Sequence, residues 1–265
     1  MQPSKTLIDI KEHNGFCLVM PCYSQPDKII ATKLVTVFPD NVDIPSHDAA
    51  ILLFDSTNGK LLSLMDGVYI TAMRTAAVSA VATKFLSPLQ PQTLAILGAG
   101  VQARSHYKAL TFLYNFKKVK VWSRRRITAE TLSSEIGAEA CDSIEEAVLD
   151  ADIIVTVTTA TQPILKAEWV KKGAHINAVG ACKPTWQELD PALMQSSMVY
   201  VEDTDIAKNG SGDIINSKAE IYAEIGEVIA GSKVGYRSKT TIFKSLGMAI
   251  EDSVSAKLVY QKFSN

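Results

Sequence analysis

The sequence predicts an α/β protein that combines a doubly wound parallel sheet with a second, β-rich domain. From residue 89 onward, short apolar runs alternate with helical patterns, which is typical of a parallel sheet with right-handed crossovers. Before residue 66, by contrast, apolar and β-branched runs follow one another with turn residues between them. Pro88 and Pro91 stand where the pattern changes and mark a domain boundary.

The first 66 residues contain the predicted strands of the β-rich domain. The segment 56–59 separates the last two strands and predicts a hairpin loop, and Asp66-Gly67 predicts a further turn. An alanine-rich helix is predicted over 71–86, with Thr71 as its N-cap. The strands are predicted over 16–23, 29–38, 49–54 and 60–65.

A glycine-rich loop follows the first strand of the second half of the chain. The run 93–97 is largely apolar, as in a strand buried on both faces, and a helix is predicted over 102–113. Gly98 allows a sharp bend, Gly100 lets the main chain approach a pyrophosphate, and Ala103 lets the helix pack closely on the strand. These features predict a dinucleotide-binding unit of the Rossmann type, with a plain tight turn as the alternative.

Alternating strands and helices continue to the end of the chain. Ser143 and Glu146 form the S-x-x-E pattern of a capping box at the start of one helix. Strands are predicted over 119–122, 153–157, 175–179 and 198–201, helices over 128–136, 143–149, 219–230 and 246–263, and a loop over 240–245.

The residues after the strand 119–122 indicate which dinucleotide binds. NAD sites carry an acidic side chain near this point, whereas Ser123, Arg124 and Arg125 suit the 2′-phosphate of NADPH. The sequence therefore favours NADPH, with NADH less preferred, and a solvated basic turn is the alternative. Further cofactor contacts are expected in the glycine loop and after the carboxyl ends of strands, at Gly98, Gly100, Val101, Gln102, Thr158, Thr159, Val179 and Ser245.

Two basic side chains are candidates for binding an anionic substrate. Arg74 lies in the first turn of its predicted helix, where a cation opposes the helix dipole and needs an anionic partner. That partner is either a bound carboxylate or an acidic neighbour such as Asp66. Lys33 interrupts a β-type run and points either to solvent or into a cleft, where it forms a carboxylate clamp with Arg74.

Two further residues are candidates for proton transfer. His47 is a candidate because the unperturbed pKa of histidine lies near neutrality, although a histidine in a loop often has no catalytic role. Glu224 lies in the predicted helix 219–230 and either supplies a carboxylate near the substrate or forms an exposed acidic face with Glu220 and Glu227. The proton donor stays open between Lys33, His47 and water.

Charge and cysteine content exclude several classes of partner. The net charge of −1, from 27 basic and 28 acidic residues, provides no basic field for nucleic acid or an anionic membrane. No apolar run has the length of a membrane span, so we expect a cytoplasmic protein. The cysteines lack metal-ligand spacing and predict neither a metal site nor disulfides; they are Cys17, Cys22, Cys141 and Cys182.

Four segments together resemble the ornithine cyclodeaminase/mu-crystallin family. They are Met65–Ala80, Ile96–Ala103, His175–Gly180 and Thr240–Asp252, and the resemblance extends over essentially the whole chain. It implies a substrate-binding and dimerisation domain from residues 1–88 with 241–265, an NADP-binding Rossmann domain from 89–240, and a homodimer.

The resemblance also implies an activity and a set of site residues. It implies hydride transfer from NADPH to the C=N bond of cyclic ketimines such as piperideine-2-carboxylate, and binding of thyroid hormone. The substrate carboxylate would be bound by Lys5, Lys33 and Arg74, with Cys182 near the substrate and the catalytic acid of the cyclodeaminases near Glu224. The alternatives are a cyclodeaminase-type lyase with recycled NAD, and a non-enzymatic crystallin that binds NADPH or thyroid hormone.

Overall fold

The computed structural model describes residues 1–3 and 5–264 and divides into two compact units. Unit 1 comprises Met1–Arg74 with Gly247–Asn265, and unit 2 comprises Thr75–Leu246. The first limit of these units falls inside a helix, whereas the sequence-based boundary falls after it. The domain limits given above therefore stay a prediction. No helix among the described residues is long and apolar enough to cross a membrane.

Unit 1 contains, within its described residues, a five-stranded antiparallel sheet with the strands in chain order. Side chains alternate between its two faces, and one face packs against the C-terminal helix α9 through residues such as Ile51, Leu53 and Ala256. The strands are β1 Thr6–Ile10, β2 Gly15–Ser24, β3 Ile29–Val37, β4 His47–Asp55 and β5 Leu61–Asp66, and α9 spans Ala249–Ser264.

Unit 2 contains, within its described residues, an eight-stranded parallel sheet in the order β12-β11-β13-β10-β9-β6-β7-β8. Leu94 and Ile96 of β6 belong to one hydrophobic cluster while Ala95 and Leu97 belong to another, so both faces of the sheet are covered. The predicted fold class is confirmed. The strands are β6 Thr93–Leu97, β7 Lys118–Trp122, β8 Glu139–Ala140, β9 Ile153–Thr156, β10 His175–Ala178, β11 Met198–Val201, β12 Ile221–Glu224 and β13 Thr241–Lys244.

Helices connect the strands of the parallel sheet. Short 3-10 helices occur at Lys11–His13 and Ala167–Trp169. The α-helices besides α9 are α1 Gly67–Leu86, α2 Val101–Leu113, α3 Arg126–Ile136, α4 Ile144–Val148, α5 Pro191–Ser196, α6 Thr204–Gly210, α7 Gly212–Ser217 and α8 Ile225–Ile229.

Helix α1 begins earlier than the sequence predicted. It starts at Gly67, where the carboxylate of Asp66 accepts the N–H of Val68 at 2.7 Å, so the predicted turn and the predicted Thr71 cap are both wrong. A carboxylate is a good acceptor for the free N–H groups of a first turn, which explains the earlier start. Arg74 consequently lies beyond the first turn, and the helix-dipole argument for its partner does not hold.

Besides the two-residue β8, two segments of unit 2 are strands where none was predicted. The predicted helix 219–230 is β12 followed by the short helix α8, because 221–224 pairs in parallel with β11. The predicted loop 240–245 contains β13, which is wholly buried between β10 and β11. Strand pairing, which connects distant parts of the chain, overrides the local preference in both places.

Candidate functional site

A cluster of charged side chains is buried in unit 1 between the sheet and α9. Lys33 lies in the middle of β3, opposite Met20 and Ile51, and is 2% exposed. Its position on the covered face of the sheet contradicts the solvent-facing alternative. Arg74 of α1 is also buried.

Two consecutive carboxylates of α9 pair with these basic groups. Nζ of Lys33 lies 2.8 Å from Oδ2 of Asp252, and Nε of Arg74 donates to Oδ1 of Asp252 at 2.9 Å. Nη1 of Arg74 donates to Oε2 of Glu251 at 2.6 Å. Arg74 is therefore paired with carboxylates from the C-terminal helix and not with Asp66, which caps α1. We call Lys33 and Arg74 the basic pair.

The environment of Lys33 lowers the pKa of its ammonium group. Burial lowers the pKa of Lys33 to about 8, the positive charges of Arg74 and Lys5 act in the same direction, and Asp252 opposes them. Lys5, half-buried at the start of unit 1, is thus close enough to influence Lys33 electrostatically. All three residues expected to bind the substrate carboxylate lie in one neighbourhood of unit 1.

Gly247 fits closely against the guanidinium of Arg74. Its φ of +72° is in the left-handed region, and a Cβ at this position would lie 2.6 Å from Nη1 of Arg74. A side chain at residue 247 would therefore displace the guanidinium.

His47 is not brought to the basic pair. It begins β4 opposite Val37, whereas Lys33 lies opposite Ile51, four residues further along the same strand. At the rise of a β-strand this separation is about 13 Å. His47 is exposed, and its Nδ1 lies 2.9 Å from the hydroxyl of Ser46.

Unit 2 places the predicted cofactor contacts at one edge of its parallel sheet. Each lies in the loop or first helical turn that follows the carboxyl end of a strand, and the strands concerned are neighbours in the order β13-β10-β9-β6-β7. Nucleotides bind at this edge in open α/β sheets. The residues are Gly98, Gly100, Val101 and Gln102 after β6, Ser123, Arg124 and Arg125 after β7, Thr158 and Thr159 after β9, Val179 after β10 and Ser245 after β13.

The glycine loop has the geometry that a bound pyrophosphate requires. Gly98 has φ +123°, and a Cβ there would lie 2.6 Å from the carbonyl oxygen of Val157. A Cβ at Gly100 would meet nothing within 4 Å, so the loop is open on that side. Among the described residues no side chain caps α2, which leaves its first N–H groups available for phosphate oxygens. These residues fit a dinucleotide.

The basic turn after β7 separates into two kinds of arginine. Arg126 pairs with Glu130 at 2.9 Å and with Asp142 at 2.6 Å. Arg124 and Arg125 are exposed and form no ion pair with any residue that the structure describes. Their guanidinium groups are therefore available to an anion.

Two further predicted site residues, Glu224 and Cys182, lie in unit 2. The Glu224 carboxylate accepts the N–H of Thr204 at 2.9 Å and takes part in the capping box of α8, so the predicted exposed helical face is wrong. Cys182 is an exposed thiol after β10.

A group of possible metal ligands also lies in unit 2. The side chains of Glu139, Cys141 and Glu146 lie close together, but burial raises the pKa of the Cys141 thiol to about 11, which disfavours a thiolate ligand.

Comparison with known proteins decides the family. The model of the ornithine cyclodeaminase/mu-crystallin family matches residues 1–265. The chain belongs to this family. The resemblance found in the sequence is confirmed.

The relatives of this family member include reductases and a dehydrogenase. Ketimine reductase mu-crystallin of Rattus norvegicus is 53% identical over 269 positions, which cover 100% of this chain and 86% of the relative. The Δ1-pyrroline-2-carboxylate reductase of Thermococcus litoralis, in complex with NADH and L-proline, is 39% identical with a TM-score of 0.92, covering 98% of this chain and 86% of its own. An archaeal alanine dehydrogenase dimer with bound NAD is 32% identical with a TM-score of 0.92. The match covers 98% of this chain and 84% of the dehydrogenase chain.

Several charged residues of this family member were not singled out from the sequence. Asp252 and Glu251, whose carboxylates pair with Lys33 and Arg74, lie in the family segment Thr240–Asp252, but no local sequence pattern predicts that role. Lys244 ends β13, a segment that the local pattern predicted as a loop, so its burial could not be predicted from the sequence. A lysine in a wholly buried strand needs a buried partner, and its Nζ lies 3.3 Å from Oδ2 of Asp213.

Proposed function

We propose that this chain is an NADPH-dependent reductase of cyclic imino acids such as piperideine-2-carboxylate or pyrroline-2-carboxylate. It is an oxidoreductase that uses NAD(P)H and acts on a C=N bond. Its relatives named for ketimine or pyrroline-2-carboxylate reduction support this class of reaction. Reduction adds a hydride to the imine carbon and a proton to the nitrogen, and the bound reduced nicotinamide supplies the hydride.

The observation that carries the proposal is the buried basic pair of unit 1. A cyclic imino acid carries its carboxylate on the carbon of the C=N bond, so a group that binds the carboxylate also orients that carbon. Arg74 supplies a planar guanidinium suited to a carboxylate, and Lys33 supplies an ammonium with three donors. Lys5 adds a third positive charge nearby. We assign the substrate carboxylate to these three residues.

We assign the proton to Lys33. The carboxylate and the imine nitrogen are attached to the same carbon, so one ammonium group can contact both. A pKa of about 8 allows Lys33 to be protonated at neutral pH and still to release its proton readily. His47 lies too far along β4, and the Glu224 carboxylate already accepts backbone N–H groups in unit 2.

We assign the cofactor to the carboxyl edge of unit 2, with a preference for NADPH. The pyrophosphate would be bound by the loop of Gly98 and Gly100 and by the first turn of α2. The 2′-phosphate would be bound by Ser123, Arg124 and Arg125. Arg124 and Arg125 have no ion-pair partner in the part of the chain that the structure describes, which supports this preference, because an adenosine 2′-hydroxyl has no charge for them to neutralise.

We also propose a homodimer formed through the outer face of the unit 1 sheet. One face of this sheet packs on α9, and the other carries apolar side chains that water would otherwise contact. The archaeal alanine dehydrogenase relative is a dimer. The exposed apolar residues on this outer face include Ile8, Tyr23, Ile30, Leu34, Leu61 and Leu64.

Steady-state kinetics with matched substrates tests the proposed function. Piperideine-2-carboxylate and pyrroline-2-carboxylate are each supplied with NADPH or NADH, and consumption of the reduced cofactor is followed. The reductase predicts turnover with a higher kcat/KM for NADPH. Turnover of ornithine with catalytic NAD, without net cofactor consumption, would instead support the lyase. Cofactor binding without any turnover would support a binding protein, the case in which thyroid hormone becomes the ligand to test.

A further inference from the structure

The carboxyl edge of unit 2 contains a buried carboxylate that the proposed reaction does not use. Glu188 follows β10 in the chain and is fully buried. Its Oε1 accepts the N–H of Thr158 at 2.7 Å and the hydroxyl of the same residue at 2.6 Å. Its Oε2 accepts the hydroxyl of Thr156 at 2.8 Å and the N–H groups of Gly180 at 2.9 Å and Ala181 at 3.2 Å.

One carboxylate thus joins the loops that follow two neighbouring strands, β9 and β10. The approach is close at Gly180, where a Cβ would collide with the Glu188 carboxylate and with the carbonyl oxygen of Thr158. The same loops contain Thr158, Thr159 and Val179, which we assigned to the cofactor. Glu188 therefore fixes the backbone around three proposed cofactor contacts.

The glycine loop after β6 packs against the backbone that Glu188 holds. The space beside Gly98 is filled by the carbonyl oxygen of Val157, which a Cβ on Gly98 would approach to 2.6 Å. Val157 directly precedes Thr158, whose N–H and hydroxyl are bonded to Glu188. A shift of Thr158 would consequently move the surface on which the pyrophosphate loop packs.

A second pair of buried charges holds Glu188 itself. Oδ1 of Asp213 accepts the N–H groups of Glu188 at 2.8 Å and Leu189 at 3.0 Å. Oδ2 of Asp213 faces Nζ of Lys244 at the end of β13, and both side chains are fully buried. The network spans the ends of three adjacent strands. Apolar side chains in these positions would avoid the cost of desolvating the buried charges. We therefore explain the buried charges by the loop geometry that they impose and not by a gain in stability.

The Glu188 carboxylate is the acceptor in all five hydrogen bonds that it forms with the described residues, which is the pattern of an ionised carboxylate. Burial raises the pKa of Glu188 above its ordinary value, while the charge of Lys244 and the hydrogen bonds from Thr158 and Thr156 oppose that shift.

We propose that Glu188 is a positioning residue for cofactor binding, which holds the loops after β9 and β10 in the conformation that accepts the dinucleotide. The inference rests on the proposed function, because it assumes that NADPH occupies this edge of unit 2. It assigns to Glu188 no contact with the cofactor and no part in hydride or proton transfer.

Glu188→Gln tests the proposal, with Glu168→Gln as the matched control. Glutamine keeps the size of the side chain but replaces one acceptor oxygen by an N–H donor, so at least one loop loses its contacts. Glu168 is exposed in the same unit. NADPH affinity is measured from the fluorescence of the bound cofactor, and circular dichroism verifies folding. We expect the Kd of NADPH to rise by about 10-fold or more in Glu188→Gln and to stay unchanged in the control.

The two substrate KM values separate positioning from a general loss of structure. The imino acid is assigned to unit 1, so its KM should change by less than about twofold while the KM of NADPH rises. A folded Glu188→Gln protein with wild-type NADPH affinity, or with equal losses for both substrates, would overturn the proposal.

A milder variant covers the case in which Glu188→Gln does not fold. Thr156→Val removes one donor to Glu188 at a buried position outside the proposed cofactor contacts, and we expect about a threefold rise in the Kd of NADPH. An unchanged Kd in this variant overturns the proposal as well. Failure of the wild-type protein to bind NADPH would instead overturn the proposed function itself.

Discussion

Lys33 and Arg74 keep their charges inside unit 1 because Asp252 and Glu251 of α9 pair with them. Removing one partner from a buried ion pair costs about 3–5 kcal/mol, since the other charge is then left without compensation. The basic pair is therefore held in place before any substrate binds. Its geometry depends on residues that need not contact the substrate at all.

Gly247→Ala should weaken substrate binding through Arg74. The new Cβ would lie 2.6 Å from Nη1 and push the guanidinium out of position. Loss of a charge-assisted hydrogen bond of about 1.5–3 kcal/mol corresponds to a rise of roughly 10- to 100-fold in the KM of the imino acid. Initial rates at saturating NADPH measure it.

Gly59→Ala is the matched control for this prediction. Gly59 has φ +75°, close to the +72° of Gly247, but a Cβ there meets nothing within 4 Å. Both variants bear the same backbone strain of about 1–2 kcal/mol, and only Gly247→Ala should lose substrate affinity. Equal KM values in the two variants would show that Arg74 does not bind the substrate.

The pH dependence of catalysis should report the protonation of Lys33. As a proton donor Lys33 must carry its proton, so kcat/KM should be high below its pKa of about 8 and fall as the pH rises through that value. Lys33→Arg keeps the positive charge, but arginine does not titrate in this range. Any residual activity of that variant should therefore lack the decline near pH 8. A decline that persists in Lys33→Arg belongs to another group.

At the scale of elements, the turn between β7 and α3 is expected to select the cofactor. Arg124→Ala and Arg125→Ala should each raise the KM of NADPH by about 10-fold, the effect of one charge-assisted hydrogen bond, while the KM of NADH stays the same. Arg126→Ala is the control, because that side chain is already paired with Glu130 and Asp142. Equal responses of both cofactors to Arg124→Ala and Arg125→Ala would refute the assignment of the 2′-phosphate.

The outer face of the unit 1 sheet is expected to form the dimer. Leu34→Glu places a charge in the middle of that face, and burying an unpaired charge is costly, so this variant should sediment as a monomer. Leu258→Glu on α9 introduces the same charge at an exposed position and should leave the dimer intact. A wild-type protein that sediments as a monomer would contradict the assignment.

Local patterns predicted some elements and failed for others. The strand β6 and its glycine loop could be predicted because burial on both faces and the need for positive φ at Gly98 leave direct marks on the sequence. β12 could not, because its residues also suit a helix, and only pairing with β11 decides between the two. β13 was missed because only Ile242 and Phe243 of this four-residue strand are apolar, and Asp213, which pairs with Lys244, is distant in sequence.

The same contrast applies to the site. Lys33 could be predicted as a candidate because a lysine in the middle of a β-type run is unusual, whereas the choice of Arg74 rests on a helix-dipole argument that the earlier start of α1 removes. Their partners Asp252 and Glu251 could not, because acidic residues in a first helical turn are common and carry no local sign of a distant ion pair. The network of Glu188 was missed for a related reason: the donors found among the described residues lie at the end of β9 and in the loops after β9 and β10, which only the folded sheet brings together.

At the scale of the whole molecule, each unit is assigned a different reactant. Unit 1 contains the basic pair assigned to the imino acid, and unit 2 contains the sheet edge assigned to the dinucleotide. Variants in one unit should therefore change the KM of one reactant and leave the other nearly unchanged. The central claim that joins these assignments is net transfer of a hydride from the cofactor to the C=N carbon.

Isotope transfer tests this claim most directly. The protein is incubated with piperideine-2-carboxylate and NADPH that carries deuterium at the transferable position of the nicotinamide, and the cyclic amino acid product is analysed by mass spectrometry. We expect deuterium on the carbon that bears the carboxylate, in an amount equal to the NADP⁺ formed. An unlabelled product, or no NADP⁺ formed by a folded protein that binds both reactants, would contradict the account.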